Sequence, residues 1–482
     1  MFFDSRNRLS IFKRIFAVLA ILSIAGAGCT KGPDAATVAA SKKTTLTIWG
    51  VVDDIDVYQK ILNDYHVLHP FVDLQFRRFR LEEYENELLN AMAEDRGPDV
   101  FLIHNTWVGK YMPKIQVMPL TTKVAVQVVQ GTLKKELVYQ LNTEQSVTIK
   151  QFKTDYPDVV AQDMIRTVNV STVADKKDLQ QRVVAIPLSV DTLALYANKD
   201  LLNAAGIATI PQNWDDFQAA VKKLVKFDEN GEITQAGAAI GTGVNVERAP
   251  DILAALMMQN GTEMSGPDGT PTFGQIPAAL SGQREQPPAY QALSFYTDFA
   301  DPTKEVYTWN AKMPNSLDAF VQGKTAFFFG YSYHLPTIRA LAPKLNLGIS
   351  TLPQIQNNPV VNFANYWAWT VSKKSKNTDL AWNFINFMRT PDESKLFLDA
   401  AKRPAALRSQ LGTQLEDEDV GVFASQVLTA KSWYRGNDPK AADDALVELI
   451  DTAIGLDPEK YPQAVNIAVD KISQTIPYGG IQ

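Results

Sequence analysis

The sequence predicts an α/β protein of two lobes, on three observations. Between Thr45 and Ile103 the hydrophobic pattern runs strand, helix, strand, helix, strand, which right-handed crossovers turn into a parallel sheet. About 440 residues follow an N-terminal leader, more than one hydrophobic core usually organises. After the leader there is no second long apolar run, low-complexity tract or repeat period, and 45% of the chain is hydrophobic, so the remainder reads as folded and soluble.

The leader begins with Arg6, Arg8, Lys13 and Arg14, continues as about eleven mostly apolar residues from Ile15 to Ala25, and ends in Gly26, Ala27, Gly28. That is the layout of a secretory signal over residues 1–28, too short to span a membrane comfortably. Cys29 follows, the only cysteine in 482 residues. The small-small-Cys ending resembles the lipobox of bacterial lipoproteins, whose cysteine carries lipid and starts the mature chain, although Gly26 stands where an aliphatic residue is usual. Residues 29–43 then read as the lipidated Cys29 and a flexible tether (TKGPDAATVAASKK). Removing residues 1–28 takes away four basic residues and Asp4, moving the formal charge from −6 to −9. Such a surface repels phosphate backbones, so nucleic acid is not expected as a partner.

The elements follow in order. Thr45–Gly50 (TLTIWG) is a β-rich run; Val57, Ile61, Tyr65 and Leu68 mark one helix face; Val72–Arg77 alternates as a strand. Tyr84, Leu88 and Met92 mark a second helix ending near Gly97-Pro98, and Asp99–Ile103 reads as a buried strand. In such sheets ligands bind beyond the carboxyl ends of the strands. That geometry nominates Trp49, Asp53, Asp54, Arg80, Glu82, Glu83, His104, Asn105, Thr106 and Trp107. The stretch from about Thr121 to Lys177 reads as an enlarged connection with helical pieces and no assigned role. Farther on, Asn213 caps a helix whose Phe217, Val221 and Leu224 face a core, and Thr378 is expected to cap Asp379–Met388. Arg248 and Asp251, at the start of Asp251–Met258, are further site candidates, while Trp214, Trp309, Trp369 and Trp382 read as packing residues.

Several stretches then carry a resemblance. LTIWG with GPDVFLIHNTWVGKY, IPLSVDTLALYANKDLLNAAGI with PQNWDDFQAAVKKL, AFVQGKTAFFFGYSYHL, LGISTLPQI and NYWAWTVSKKSKNTDLAWNFINFMRTPDESKLFL occur in one order across most of residues 44–476. Together they resemble the family 1 extracellular solute-binding proteins, the group that includes the maltose-binding protein. The resemblance implies a type II periplasmic-binding-protein-like fold with mixed β-sheets flanked by helices and a ligand cleft between the lobes. The expected division is 44–188 plus 336–390 for lobe 1 and 189–335 plus 391–482 for lobe 2. By analogy Ser189 and Asp191 lie on a first crossing at the cleft floor, Tyr331 and Tyr333 mark a second, Asn365 and Trp367 open the next strand, and Trp433 presents an aromatic ring to the ligand. Sugars offer C–H faces to aromatic rings and hydroxyl rims to carboxylates, amides and Arg, so a carbohydrate is the expected solute.

The implied role is an extracytoplasmic, lipid-anchored receptor, monomeric, that closes on a solute and delivers it to the permease subunits of an ABC importer. Rival readings are a receptor for a polyol phosphate or peptide, a sensory binding protein, or an exported carbohydrate-active enzyme. No catalytic constellation is complete. GYSYH (330–334) lacks the second Gly of a nucleophile elbow, and Asp318 stands where a P-loop ending in Gly323-Lys324-Thr325 needs its first Gly. His66 and His69 lack a third ligand and read as an exposed polar face, and FDENGEIT (227–234) reads as an Asn-Gly hairpin turn instead of a calcium loop. No enzyme, metal or cofactor is therefore expected.

Overall fold

A computed structural model describes residues 34–131, 135–171, 173 and 176–477. The expected signal segment and Cys29 lie outside the described residues. The expected tether is in part ordered. Asp34 accepts a hydrogen bond from the Thr37 amide at 2.7 Å and starts a helix over Ala35–Ala40, because a short acidic side chain satisfies a free N–H of the first turn.

The first sheet grows from the predicted unit. Strands β1 (Thr44–Val51), β2 (Val72–Phe79) and β3 (Val100–His104) are joined by helices Ile55–Leu68 and Leu81–Ala93. Tyr58, Ile61, Leu62 and Tyr65 bury one face of the first helix, and Tyr84, Leu88 and Met92 one face of the second. Strand β4 is Ile115–Gln116. The segment read as an unassigned connection holds two antiparallel hairpins, β5 (Thr121–Gln130) with β6 (Glu136–Gln145) and β7 (Ile165–Asn169) with β8 (Leu179–Val183), and two helices between them. Period-2 alternation is weak in β5 and β6, which explains why the sequence reading missed them.

A short strand β9 (Asp191–Thr192) leads to the second sheet: β10 (Ala194–Asn198), β11 (Lys226–Phe227), β12 (Ile233–Ala238), β13 (Thr325–Gly330) and β14 (Leu347–Thr351). The expected Asn230-Gly231 turn joins β11 to β12, with Gly231 at φ 78°, a left-handed conformation that glycine adopts without strain. Its order is β11-β12-β13-β10-β14, with β10 antiparallel to both neighbours. Strands β10 and β13 are buried throughout, matching their unbroken runs ALYAN and TAFFFG. The chain then returns through β15 (Asn362–Asn365) and β16 (Trp367–Ser372). The latter enters the first sheet antiparallel to β3, giving the order β2-β1-β3-β16-β4. A last strand, β17 (Ala430–Lys431), pairs with β15.

The two larger cores show where the lobes divide. One contains residues from Leu46 to Val190 and from Ala364 to Ala430; the other contains residues from Leu193 to Phe363 and from Trp433 to Ile472. The chain therefore changes lobe near residues 191, 363 and 431. Strands β9, β15 and β17 occupy those places and form one small three-stranded sheet. This corrects two expectations. Residues 336–363 go with lobe 2, since β14 pairs with β10; residues 391–430 pack largely on lobe 1, where Phe397 and Leu398 join its core. The segment Tyr331–His334 is not a crossing either: it ends β13 inside lobe 2.

Two smaller readings change as well. Asn377, not Thr378, is the cap residue of helix Thr378–Met388, and His69 is buried, with Nδ1 2.8 Å from the Ala125 carbonyl of β5.

Candidate ligand-binding site

A cleft of about 830 Å³ opens where the carboxyl ends of β1, β2 and β3 and the first residue of β16 face lobe 2. Lobe 1 supplies Asp53, Tyr58, Arg78, Arg80, Glu82, Glu85, His104, Thr106, Trp107, Lys110, Ser189, Asn365, Tyr366, Trp367 and Arg403; lobe 2 supplies Glu247, Arg248, Tyr333, Lys440 and Asp443; Asp191 lies at the crossing. Twelve of the nineteen predicted site residues are thus brought together: Asp53, Arg80, Glu82, His104, Thr106, Trp107, Ser189, Asp191, Arg248, Tyr333, Asn365 and Trp367.

The lobe 1 wall is aromatic. His104 ends β3 with extended backbone, and its ring accepts from the Thr106 amide, which starts the tight turn Asn105–Trp107. That turn sets Trp107 edge-on to Trp367, ring centres 5.1 Å apart at 75°. Tyr84 and Tyr111 stack on Trp107 and hold it in place. His104 is fixed on both sides: Nε2 lies 3.1 Å from Asn365 Oδ1 and Nδ1 2.8 Å from Thr106 Oγ1. Asn365 Oδ1 only accepts, so Nε2 carries the proton and Nδ1 accepts. Burial lowers its pKa to about 4, so the ring is neutral at physiological pH. On the facing wall Tyr333 stacks on Tyr331 at 5.5 Å.

Most charged groups in the cleft are paired. At the floor the Arg403 guanidinium donates to Asp53 at 3.2 Å and lies 3.4 Å from Ser332 Oγ. Ser332 in turn donates to Asp191 through its amide (3.1 Å) and hydroxyl (2.7 Å). Burial raises the Asp191 pKa, against the pull of Arg403 and these hydrogen bonds. In lobe 2, Arg248 adopts a left-handed backbone (φ 54°) at the start of helix Ala249–Gln259, a strained place for a non-glycine residue. It donates twice to Asp251, at 2.7 and 2.8 Å, and once to Asp443 at 3.2 Å. Burial pushes the Asp443 carboxyl up to about 6 in spite of Arg248. Six carboxylates and six Lys or Arg line the cleft among the described residues, so its walls are close to neutral overall.

Seven predicted residues have other work. Asp54 accepts from Arg78 at 3.0 Å and caps the helix Ile55–Leu68, and Asp251 is held by Arg248. Trp49 packs on Phe79 at 4.5 Å beneath Arg77. Glu83 accepts from the Arg80 amide (3.2 Å) and guanidinium (2.9 Å), closing the first turn of its helix. Asn105 is buried and donates to Asp163 at 3.4 Å. Tyr331 is buried and donates to Asp251 at 2.5 Å. Trp433 is buried against Phe273 and Tyr434, in the lobe 2 core.

The sequence reading missed Tyr58, Glu85, Lys110, Glu247, Arg403 and Asp443. Most sit mid-helix, where spacing marks a face and not a site. Arg403 lies in an irregular loop that the Ser189–Ala405 bridge lays along the first crossing, and nothing local signals that.

Behind the cleft, Asp163 joins the lobes. It accepts from the Tyr366 hydroxyl (2.9 Å), Asn105 Nδ2 (3.4 Å), Ser432 Oγ (2.6 and 2.8 Å) and Arg435 Nε (3.4 Å).

Residues 54–395 match the family model described as bacterial extracellular solute-binding protein. Binding proteins of Brucella abortus and Brucella suis are 26% identical over 226 residues, 46% of this chain, and the chain spans half the length of those relatives. The galactooligosaccharide-binding protein of Bacillus subtilis is 20% identical over 403 residues, 82% of this chain and 80% of that protein. Among solved structures, the maltose-binding protein MalE of Listeria monocytogenes in complex with maltose superposes with a TM-score of 0.64 at 18% identity, covering 90% of this chain and all of that one. The GacH receptor of Streptomyces glaucescens, solved unliganded and with acarbose, gives 0.62 at 17% identity over 89% and 98% of the two chains. The fold is the two-lobed one predicted from sequence, and the chain belongs to the bacterial extracellular solute-binding protein family.

Proposed function

We propose that the chain captures an uncharged carbohydrate in the cleft and delivers it to the permease of an ABC importer. The observation that carries this reading is the pairing of Trp107 and Trp367 on one wall with Tyr333 on the other, around ionised groups that already hold one another. Aromatic faces complement sugar C–H faces, and the spare donors and acceptors of Arg403, Asp53, Glu82, Asn365 and Arg248 suit hydroxyls. Balanced charge argues against a phosphate or other anion. The named ligands of the similar proteins support the same class.

In this reading the three-stranded crossing sheet is the hinge, and the ligand stabilises the closed form by binding it better than the open one. The closed monomer then docks on the permease. Cys29 carries lipid after removal of residues 1–28 and keeps the receptor at the outer face of the cytoplasmic membrane; no helix among the described residues is long and apolar enough to cross it. The chain binds and does not catalyse.

A thermal-shift screen against mono- and oligosaccharides, glycerol phosphates and short peptides tests this. A ligand at a hundred times its Kd stabilises the folded state by about 2.7 kcal/mol. Shifts with sugars support the reading; shifts with phosphates or peptides alone overturn it.

A further inference from the structure

The chain enters lobe 1 at the end away from the cleft. Strands β1, β2 and β3 run parallel with their carboxyl ends at the cleft, so their amino ends mark the opposite edge of the sheet. Strand β16 is antiparallel to β3, and β4 to β16, which brings Ser372 and Ile115 to that same edge. Helix Ala35–Ala40 delivers the chain there, into Thr44.

This far end collects lysines. Lys42 and Lys43 precede β1, Lys373 and Lys376 follow β16, and Lys114 precedes β4, its carbonyl accepting from the Lys373 amide at 2.8 Å. Lys123 of β5 lines one groove with Thr44, Lys376 and the helix end at Ala39 and Ala40. Five of these six lysines are exposed and Lys114 is half-buried; among the described residues none has a carboxylate partner. The acids close by are engaged. Asp95 pairs with Lys374 and Glu94 with Arg96. Asp99 accepts from Thr47 and Ser375, Asp379 from the Lys123 amide, Asp73 from Gln75 and Asp34 from the Thr37 amide. Free ammonium groups gathered at one end stand out in a chain whose formal charge without residues 1–28 is −9.

Two observations say what they face. Only residues 30–33 separate Cys29 from Asp34, so the two are at most about 18 Å apart, and the six-residue helix adds about 9 Å. A lipid on Cys29 therefore keeps the lysine end close to the bilayer. The second is charge. Ammonium groups complement the phosphates of anionic lipids, and screening over about 8 Å at physiological salt hides the acids elsewhere on the chain.

We propose that this lysine end of lobe 1 rests on the headgroups of anionic phospholipids and holds the anchored receptor with its cleft turned away from the membrane. The proposal rests on the lipid-anchored part of the reading above and not on the identity of the solute. A few ammonium groups do not hold a free acidic protein on a membrane. The anchor makes the contact intramolecular, so a weak attraction is enough. The same weakness lets the closed receptor leave this posture to reach the permease.

The full chain, purified from membranes, is reconstituted in vesicles that carry an energy-acceptor dye on their headgroups. The donor dye is placed at Thr45→Cys, exposed at the amino end of β1, or at Ile55→Cys, 36% exposed just past its carboxyl end. The eight residues of β1, about 26 Å, separate these two ends. With phosphatidylglycerol mixed into phosphatidylcholine, transfer at position 45 should be at least twofold that at position 55. The difference should vanish in phosphatidylcholine alone, and in a variant combining Lys42→Gln, Lys123→Gln and Lys376→Gln. Equal transfer at both positions, higher transfer at 55, or a bias toward 45 that survives either change overturns the lipid contact. So does a bias that grows with protein density instead of phosphatidylglycerol, which marks contact between copies. Thiol titration of the wild type reads the anchor separately, since an alkylated sulfur does not react. A reactive Cys29 overturns the anchor and the proposal with it.

Discussion

Arg403 and Asp53 meet at 3.2 Å on the floor of the cleft, with side chains only 12% and 17% exposed. The same guanidinium reaches Ser332, which holds Asp191 at the first crossing between lobes. One cation therefore offsets two carboxylates, one on lobe 1 and one at the hinge.

Replacing it tests that arrangement. Arg403→Met keeps the aliphatic stem and leaves Asp53 and Asp191 without their cation, which costs about 3–5 kcal/mol when a buried pair is broken. Burial already raises Asp191, and losing Arg403 raises it further. A carboxyl with a raised folded pKa takes up a proton on folding, so stability is lost as pH climbs from the unfolded value toward the folded one. Melting curves should show a gap between wild type and variant that widens from pH 4 upward; a constant gap would contradict this account.

Trp367 and Trp433 separate binding from packing. Trp367→Ala removes a cleft wall and should weaken binding of any sugar found in the screen at least tenfold, since an aromatic contact contributes about 0.5–1.5 kcal/mol beyond its buried area. Trp433→Ala leaves a void in the lobe 2 core and should cost about 3–5 kcal/mol of stability. Calorimetric titration and thermal melts on both variants distinguish the two roles.

His104 gives a pH signature of opposite sign to Asp191. Its folded pKa lies near 4 and its ordinary value is 6.5, so between these the unfolded chain takes a proton that the folded ring refuses. Stability should fall as pH drops through that window, and His104→Gln should flatten the slope measured by denaturant titration.

Asp163→Ala strips one acceptor from Tyr366, Asn105, Ser432 and Arg435 together. Leaving buried donors unpaired costs about 1–3 kcal/mol each when no water replaces the carboxylate. A melting temperature unchanged from wild type would show that the hub adds nothing to the lobe junction.

Much of this was legible in the chain. The βαβαβ unit announced itself by period, and the strand-end rule placed Asp53, Arg80, Glu82, His104 and Trp107 in the cleft. The lobe boundaries were harder, because AFFFG of β13 and WAWTVS of β16 look alike as strands while one pairs with β10 and the other with β3. Pairing partners far apart in sequence leave no local mark. Trp433 was misplaced for the same reason: an aromatic before a helix reads alike whether Phe273 or a ligand meets it.

The first lobe cannot be completed until the late strand arrives. His104 and Asn365 are 261 residues apart, and the buried bond from Tyr65 to Asn383 closes 318 residues. A ribosome that has released the β1–β3 unit has made a sheet with a bare inner edge and an exposed core. Such long-range closure is slow, because chain entropy is lost before contacts repay it. Under the secretory reading proposed above, the chain threads a membrane channel as an extended polymer, and that delay is useful there: the discontinuity of the lobe keeps the nascent protein loose until it has crossed.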